Sequence, residues 1–421
     1  MELIEFGSIA HIKKGKKPAK QFQEPQAGFM PYVDIEAFET GKIKAYTDGE
    51  KCLPCQKGDI LIVCDGSRSG FVGRAIEGYV GSTLAIISAD GMSPDYLYYF
   101  LQGKYALLNT KKKGTGTPHL DQQILFKQKL VVPSLQEQNR IVTRIDELFS
   151  ELDNGVETLQ KTKQQLAVYR QAVLKWAFEG AYTEQWRMKN LDNSPLNDFK
   201  SIKRENCVYK DTSGDANEIR LVIPDQWLKV RIGDIFEVEV GATPSRRIAE
   251  YWNGSIPWVS SGEVHFNTIV STDEHITQEG LDHSSTNVQP VGTIMLAMIG
   301  EGKTRGQAAI LNVPAAHNQN TAAILVSKTP CQPKYIYYFL QMNYDNTRRV
   351  GSGNNQKALN KERVRALRFP FTSFAEQAEI VQEIESRLSV CDSIEKTVNA
   401  ALQQAEAMRQ SILKQAFEGR L

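Results

Sequence analysis

The sequence predicts an α+β protein: two similar globular α/β heads joined by two long helices that pair as a coiled coil, with a pseudo-two-fold internal repeat. Three observations carry this prediction. A long helical stretch occurs twice. The blocks that precede it also occur twice, in the same order. Within each copy, short runs of branched apolar residues are followed by one amphipathic helix.

The helical stretch opens at Gln136-Glu137-Gln138-Asn139-Arg140-Ile141-Val142 and closes at Arg170-Gln171-Ala172-Val173-Leu174-Lys175-Trp176-Ala177-Phe178-Glu179-Gly180. Its second copy opens at Glu376-Gln377-Ala378-Glu379-Ile380-Val381 and closes at Arg409-Gln410-Ser411-Ile412-Leu413-Lys414-Gln415-Ala416-Phe417-Glu418-Gly419. Both ends keep one separation of about 240 residues, so a single element is used twice. A heptad frame places Ile141, Ile145, Leu148, Leu152, Gly155, Leu159, Thr162, Leu166, Tyr169, Val173 and Trp176 on one seam. The second copy places Ile380, Ile384, Arg387, Cys391, Ile394, Val398, Ala401, Ala405, Met408, Ile412 and Gln415 there. A repeat of 3.5 residues keeps one seam facing a partner helix. Soft spots at Gly155, Thr162, Arg387 and Gln415 favour two helices pairing with each other over a long fibre. Each rod is roughly 60 Å long at 1.5 Å per residue.

The heads repeat as well. Phe6-Gly7-Ser8-Ile9 followed by Gly15-Lys16-Lys17-Pro18 answers Ile232-Gly233-Asp234-Ile235 followed by Gly241-Ala242-Thr243-Pro244. Lys57–Ile62 answers Val291–Leu296, and Tyr96–Gln102 answers Tyr335–Gln341 with six of seven positions identical. Ile60–Val63 and Leu84–Ile87 read as buried strands, as do Thr293–Met298 and Thr321–Val326. Pro94-Asp95-Tyr96 starts a short amphipathic helix whose tyrosines are core residues. The expected divisions are a first head over 1–135, a helix over 136–180, a linker over 181–221, a second head over 222–372 and a second helix over 373–421. Asp192-Asn193-Ser194-Pro195 and Asp211–Asp215 give 181–221 its linker character.

Composition bounds the function. The formal charge is +1 over 421 residues, so an anionic partner must be met by local patches. No run of eighteen apolar residues occurs, so no membrane span is expected. Met1–Glu5 lacks the regions of a signal peptide, and the six cysteines are scattered; reduced thiols and a cytoplasmic location are expected. Cys52-x-x-Cys55 has no second pair at zinc spacing, and the six histidines form no metal motif, so no metal site is assigned.

The loops differ between heads. Lys13–Lys17 and Lys111–Thr117 are basic and glycine-rich in the first. Thr243–Arg247 and Arg348–Gln356 occupy the matching places in the second. Glycine lets backbone N–H groups approach an anion, and Lys or Arg neutralises phosphate. Asn, Gln, Ser and Arg read base edges. Solvated turns carry lysine too, but their recurrence at matched places suggests a clamp on a polyanion.

Catalytic residues are not found. Gly302-Lys303-Thr304 resembles the end of a P-loop, but Ala297 stands where the first glycine belongs. Glu301-x-Lys303 has only the distant Pro224-Asp225 for a nuclease partner, and no amino-methyltransferase or dinucleotide motif occurs. Matched heads with no shared catalytic set are binders rather than twin enzymes.

Taken in order, these features resemble the specificity subunit of Type I restriction-modification enzymes over essentially the whole chain. The residues that carry the resemblance are Gly15-x-x-Pro18 and Gly241-x-x-Pro244, the run Leu359-Asn360, Phe369-Pro370, Glu376-Gln377-x-x-Ile380-Val381, and the two Ala-Phe-Glu-Gly helix ends. Leu221-x-x-Pro224-Asp225-x-Trp227 opens the second head in the family manner, with no counterpart at Met1; Asn318-Gln319-Asn320 matches an amide-rich family site where the first head has Val80-Gly81-Ser82-Thr83. The resemblance implies that the helices pair antiparallel as a spacer and that each head is a target recognition domain for one half of a split, asymmetric site in double-stranded DNA. It implies two modification (methyltransferase) subunits and restriction/translocase subunits as partners. S-adenosylmethionine, ATP and Mg²⁺ would belong to those partners, with no cofactor and no catalysis in this chain.

On that reading Lys14, Lys16, Lys17 and Lys111, Lys112, Lys113 hold phosphates in the first head, and Arg246, Arg247, Arg348 and Arg349 do so in the second. Ser67, Arg68, Thr115 and Thr117, with Lys303, Arg305, Gln307, Asn354 and Asn355, are the expected base readers; Thr243 and Ser245 complete the second loop. The rival from another class is a two-headed coiled-coil adaptor for protein or glycan, which nucleic acid would leave unbound at low salt. A specificity subunit serving a fused or stand-alone nuclease is a second rival.

Overall fold

A computed structural model of the chain describes residues 3–111, 118–205, 207, 221–300, 302–349 and 358–421. The chain divides into two compact units, Met1–Thr162 with Thr397–Leu421, and Lys163–Lys396. Each unit holds one head and part of both long helices, Leu135–Phe178 and Phe374–Phe417.

In the first unit, β1 (Ala10–Lys14), β2 (Ile60–Val63), β3 (Val72–Arg74) and β4 (Leu84–Ala89) form one antiparallel sheet in the order β1–β4–β2–β3. Every residue of β2 is buried, as its unbroken branched run demands. Helix α1 (Pro94–Gln102) starts with Pro94 behind Ser93, whose hydroxyl caps the amide of Tyr96. Its Leu97, Phe100 and Leu101 enter the sheet core, while Tyr96 and Tyr99 pack on Ile141, Ile145 and Phe149 of the first long helix. The short helix α2 (Tyr105–Thr110) follows. Ile4–Glu5 pairs with Lys129–Leu130 and ties the start of the head to its exit.

The second unit repeats this plan. Strands β5 (Val238–Val240), β6 (Asn267–Ile269), β7 (Ile294–Ala297), β8 (Ala308–Leu311) and β9 (Thr321–Ile324) run in the order β5–β9–β7–β8–β6. The first four places match the first head, and β6 adds a parallel edge. Helix α3 (Pro333–Met342) and the short α4 (Tyr344–Arg349) take the places of α1 and α2. Leu228–Arg231 pairs with Arg368–Phe371 as the matching tie. Each head also carries a smaller sheet with one parallel pair: Tyr32 opposite Tyr79 in the first, Trp258 opposite Ala316 in the second. The stretch after Gly180 is not bare linker: Glu184–Lys189 and Pro195–Ile202 are helical. Arg187 and Thr183 bond Glu376 at the start of the second long helix.

The long helices run antiparallel within each unit. In the first, Ile141, Ile145 and Phe149 meet Leu413 and Ala416, and Arg409 pairs with Asp153. In the second, Leu174, Ala177 and Phe178 share a core with Ile380, Val381 and Ile384, and Arg170 reaches Asp392 (2.7 Å) and Glu395 (2.9 Å). The heptad frame needs correction at its far end. Tyr169 and Trp176 are 40% and 46% exposed, while Val173, Leu174 and Ala177 are buried. A 3.6-residue helix drifts about 20° per heptad against a 3.5 repeat, which carries those positions off the seam. In the second helix Cys391, Val398 and Ala405 stay buried at every seventh residue, whereas Ile394 and Met408 are exposed. The soft spot at Gly155 is real. There a groove of about 400 Å³ opens between Leu148, Leu152, Leu159, Ala405, Met408 and Ile412.

Candidate nucleic-acid interface

Two loops gather at one edge of each main sheet, beside the short helix that leads in sequence to a third. The first leaves β1 or β5 at a glycine. A Cβ on Gly15 would lie 2.3 Å from the carbonyl oxygens of Val80 and Gly81, and one on Gly241 1.9 Å from that of His317. Glycine is required at both places by close backbone approach. The second loop is the turn joining β2 to β3 or β7 to β8. The third begins at the end of α2 or α4.

In the first head Lys14 points at the second loop: its Nζ lies 2.7 Å from Asp65 Oδ2, and His119 Nδ1 lies 2.7 Å from Asp65 Oδ1. Burial alone would raise the Asp65 pKa, but the hydrogen bonds from Lys14 and His119 hold it below the ordinary carboxylate value. Lys16, Lys17 and Lys111 are exposed. Arg68 is held by Glu39 at 2.7 Å and lies over the Phe71 ring. Ser67 is exposed, and its carbonyl accepts from Asn109 Nδ2 at 3.0 Å. Lys112, Lys113, Thr115 and Thr117 lie outside the described residues.

In the second head Thr243 Oγ1 donates to Gln319 Oε1 at 2.6 Å, joining the first loop to the β9 turn. Two indoles fasten that loop: Trp258 Nε1 donates to Ala242 O at 3.1 Å and Trp252 Nε1 to Ser245 O at 3.2 Å. Arg246 stacks on Trp252, 3.9 Å from its ring centre, and pairs with Glu274. Arg247 is exposed. Lys303 is exposed and its carbonyl accepts from the Tyr344 hydroxyl, which itself accepts from Arg348 Nη1 at 2.8 Å. The structure thus brings Lys303 and Arg348 together. Arg305 is only 7% exposed and Gln307 is half-buried, unlike Lys303. Arg349 ends α4; Asn354 and Asn355 lie outside the described residues.

Sequence reasoning missed Asp65, His119, Asn109 and Tyr344, whereas Gln319 belongs to the amide run it had marked. Tyr344 repeats Tyr105 in register, a signal that was present; the others act through contacts distant in sequence. Among the described residues no cluster of His, Cys, Asp or Glu could hold a metal ion, and no helix is long and apolar enough to cross a membrane.

The family described as "Type I restriction modification DNA specificity domain" matches residues 1–166 and 224–404. The chain belongs to that family. As a member of the DNA specificity domain family it matches the Type I restriction enzyme MjaVIII specificity subunit of Methanocaldococcus jannaschii, 23% identical over all of this chain and 92% of the relative. It matches the EcoBI specificity subunit of Escherichia coli at 24% identity, over 99% of this chain and 85% of the relative. Two solved structures share the fold. One comes from work on complex assembly and conformational transition of the type I R-M system, with TM-score 0.71 and 15% identity over 100% of this chain and 98% of that one. The other is the HsdS subunit from Thermoanaerobacter tengcongensis, with TM-score 0.54 and 14% identity over 100% and 97%. The two matched spans of the specificity-domain family fall on the two heads and the helices that follow them.

Proposed function

We propose that this chain is the sequence-specific DNA-binding subunit of a Type I restriction-modification complex in the cytoplasm. Each head, over 1–135 and 222–372, reads one half of a bipartite asymmetric site in double-stranded DNA. The helices over 136–180 and 373–421 set the spacer and dock two modification subunits, with 181–221 as the link between halves. Restriction subunits join that assembly. Adenine methylation with S-adenosylmethionine, and ATP- and Mg²⁺-dependent translocation and cleavage, are the partners' chemistry.

The observation that carries this reading is the duplication of the loop edge. Two heads with one backbone plan present different polar side chains at matched loops, which suits two different half-sites. Phosphate contacts from Lys16, Lys17, Lys111 and Arg247 set register. Arg246, already satisfied by Glu274 and two indoles, is better suited to holding its loop than to neutralising phosphate. Rods of fixed length convert protein geometry into base-pair spacing, one turn of DNA being about 34–36 Å.

A head exchange tests the reading. Replacing residues 1–135 with the first head of another specificity subunit should alter one half of the methylated sequence and leave the other half and the spacer unchanged. Alteration of both halves, or of neither, sinks modular recognition. If the purified chain binds no duplex at low salt, the adaptor reading takes its place.

A further inference from the structure

The turn between the second and third strands is built the same way twice, although its sequence and length differ. In the first head the Gly70 amide donates to Val63 O at 2.8 Å; in the second the Gly306 amide donates to Ala297 O at 2.8 Å. In sequence, six residues, 64–69, separate the first bonded pair and eight, 298–305, the second. Gly70 and Gly306 both take positive φ, 90° and 85°. Both sit on the short helix that follows the amphipathic one: a Cβ on Gly70 would lie 2.7 Å from Leu108 Cβ, and one on Gly306 3.2 Å from Arg348 Cγ.

Each turn is also fastened to that helix by a side chain that bonds its backbone. Asn109 of α2 donates from Nδ2 to Ser67 O (3.0 Å) and Ser69 O (3.1 Å). Tyr344 of α4 donates its hydroxyl to Lys303 O. The tyrosines at this repeated place each pack on a phenylalanine, though from different elements: Tyr105 on Phe71 after the turn, and Tyr344 on Phe266 before β6. A turn free to vary would not keep one docking place through different donors unless its position mattered. We infer that this turn is a reading finger in each head, and that Asn109 and Tyr344 are its positioning residues, fixing the finger against the helix that is followed by Lys111 or ends in Arg348–Arg349.

This inference rests on the DNA-reading function proposed above. The Asn109 bonds satisfy carbonyls of the turn alone, whereas the Tyr344 hydroxyl also accepts from Arg348 Nη1 at 2.8 Å. Losing either fastening should therefore loosen discrimination, and losing that of Asn109 should leave phosphate contacts intact. One such hydrogen bond corresponds to about 2- to 12-fold in discrimination.

The test uses the purified full chain and a randomised double-stranded DNA library, with retained duplexes sequenced. The wild-type chain should enrich two sets of specified base pairs separated by an unspecified spacer. Tyr344→Phe, which keeps the ring on Phe266, should weaken discrimination about 2- to 12-fold in one set only. Asn109→Ala should do so in the other set only. The salt dependence of binding should stay unchanged in Asn109→Ala, since no group assigned to phosphate touches Asn109. Gly306→Ala breaks the same latch through the backbone and should affect the same set as Tyr344→Phe. Equal weakening of both sets, or no change in either, overturns the latch while leaving DNA recognition standing. Failure of the wild-type chain to enrich any duplex removes DNA reading itself, and the finger with it.

Discussion

Replacing Arg187 by methionine should destabilise the second unit by about 3 kcal/mol, at the lower end of the cost of breaking a buried ion pair. Glu376 is 2% exposed at the start of the second long helix. Its carboxylate accepts from Thr183 Oγ1 at 2.7 Å, from Trp227 Nε1 at 2.9 Å, from the Thr372 hydroxyl and from Arg187. Removing the guanidinium leaves a buried anion with three neutral donors, each still satisfying a lone pair, which keeps the loss from the upper end of about 5 kcal/mol. Arg187 also donates to Gly180 O at 2.9 Å, so the chain leaving the first long helix is loosened at the same time. Thr183→Val removes one neutral donor and should cost about half as much. All five tryptophans, at 176, 186, 227, 252 and 258, fall within Lys163–Lys396, so indole fluorescence reports on this unit alone. At about 2–4 °C per kcal/mol for a unit of this size, the fluorescence midpoint should fall roughly 6–12 °C. Glu137, the repeat partner of Glu376, lies at the surface beside Arg140, and Glu137→Ala should leave stability unchanged. A fluorescence midpoint for Arg187→Met within 2 °C of wild type would refute the reasoning.

Two further outcomes follow from the same structure. Gly155→Ala should raise stability by about 0.5–1 kcal/mol, because a Cβ there meets nothing within 4 Å and an interior helical glycine costs that much; a lower midpoint by circular dichroism would show that the groove cannot take a methyl group. His317 is buried, with Nδ1 on Thr321 Oγ1 at 2.8 Å, and burial pushes its pKa from 6.5 down to about 4. Its depressed folded pKa means the contribution is complete above about pH 6.5 and is lost as pH falls toward 4, a change of about 3 kcal/mol. His317→Gln should flatten the fluorescence-monitored stability profile over that window, and an unchanged slope would count against a buried neutral imidazole.

The elements legible in the sequence are those written in local patterns. Ile60–Val63 is an unbroken branched run and forms a fully buried strand. Pro94 behind Ser93 announces α1. The heptads announce the two long helices, though not the drift that exposes Tyr169 and Trp176. What was not legible depends on distance along the chain. The smaller sheets are held by pairings such as Tyr32 with Tyr79, which leave no periodic trace. The same holds at the loop edge. Lys14, Arg68 and Arg246 read as free cations in sequence, yet Asp65, Glu39 and Glu274 meet them across the fold. Lys16, Lys17 and Arg247 stand beside them with the same chemistry and stay exposed. Residue type cannot separate the two groups, because the carboxylates that do so arrive from other elements.

The internal repeat offers a control that a single domain lacks. A feature kept in both copies by different side chains is imposed on the plan itself. The turn closures at Gly70 and Gly306 are of that kind, since Asn109 and Tyr344 reach the same end by different donors. A feature present in one copy answers a need of that copy alone. Glu376 is buried because residues after Gly180 fold over it and bring Thr183 and Arg187; Glu137 begins the same repeat and keeps its charge in solvent. The indole pair that grips Arg246 likewise stabilises one loop of one head. Two heads that share backbone closure and differ in loop fastening can therefore diverge in loop chemistry without altering how they are held. On the function proposed above, that separation is the physical requirement for exchanging one half-site at a time.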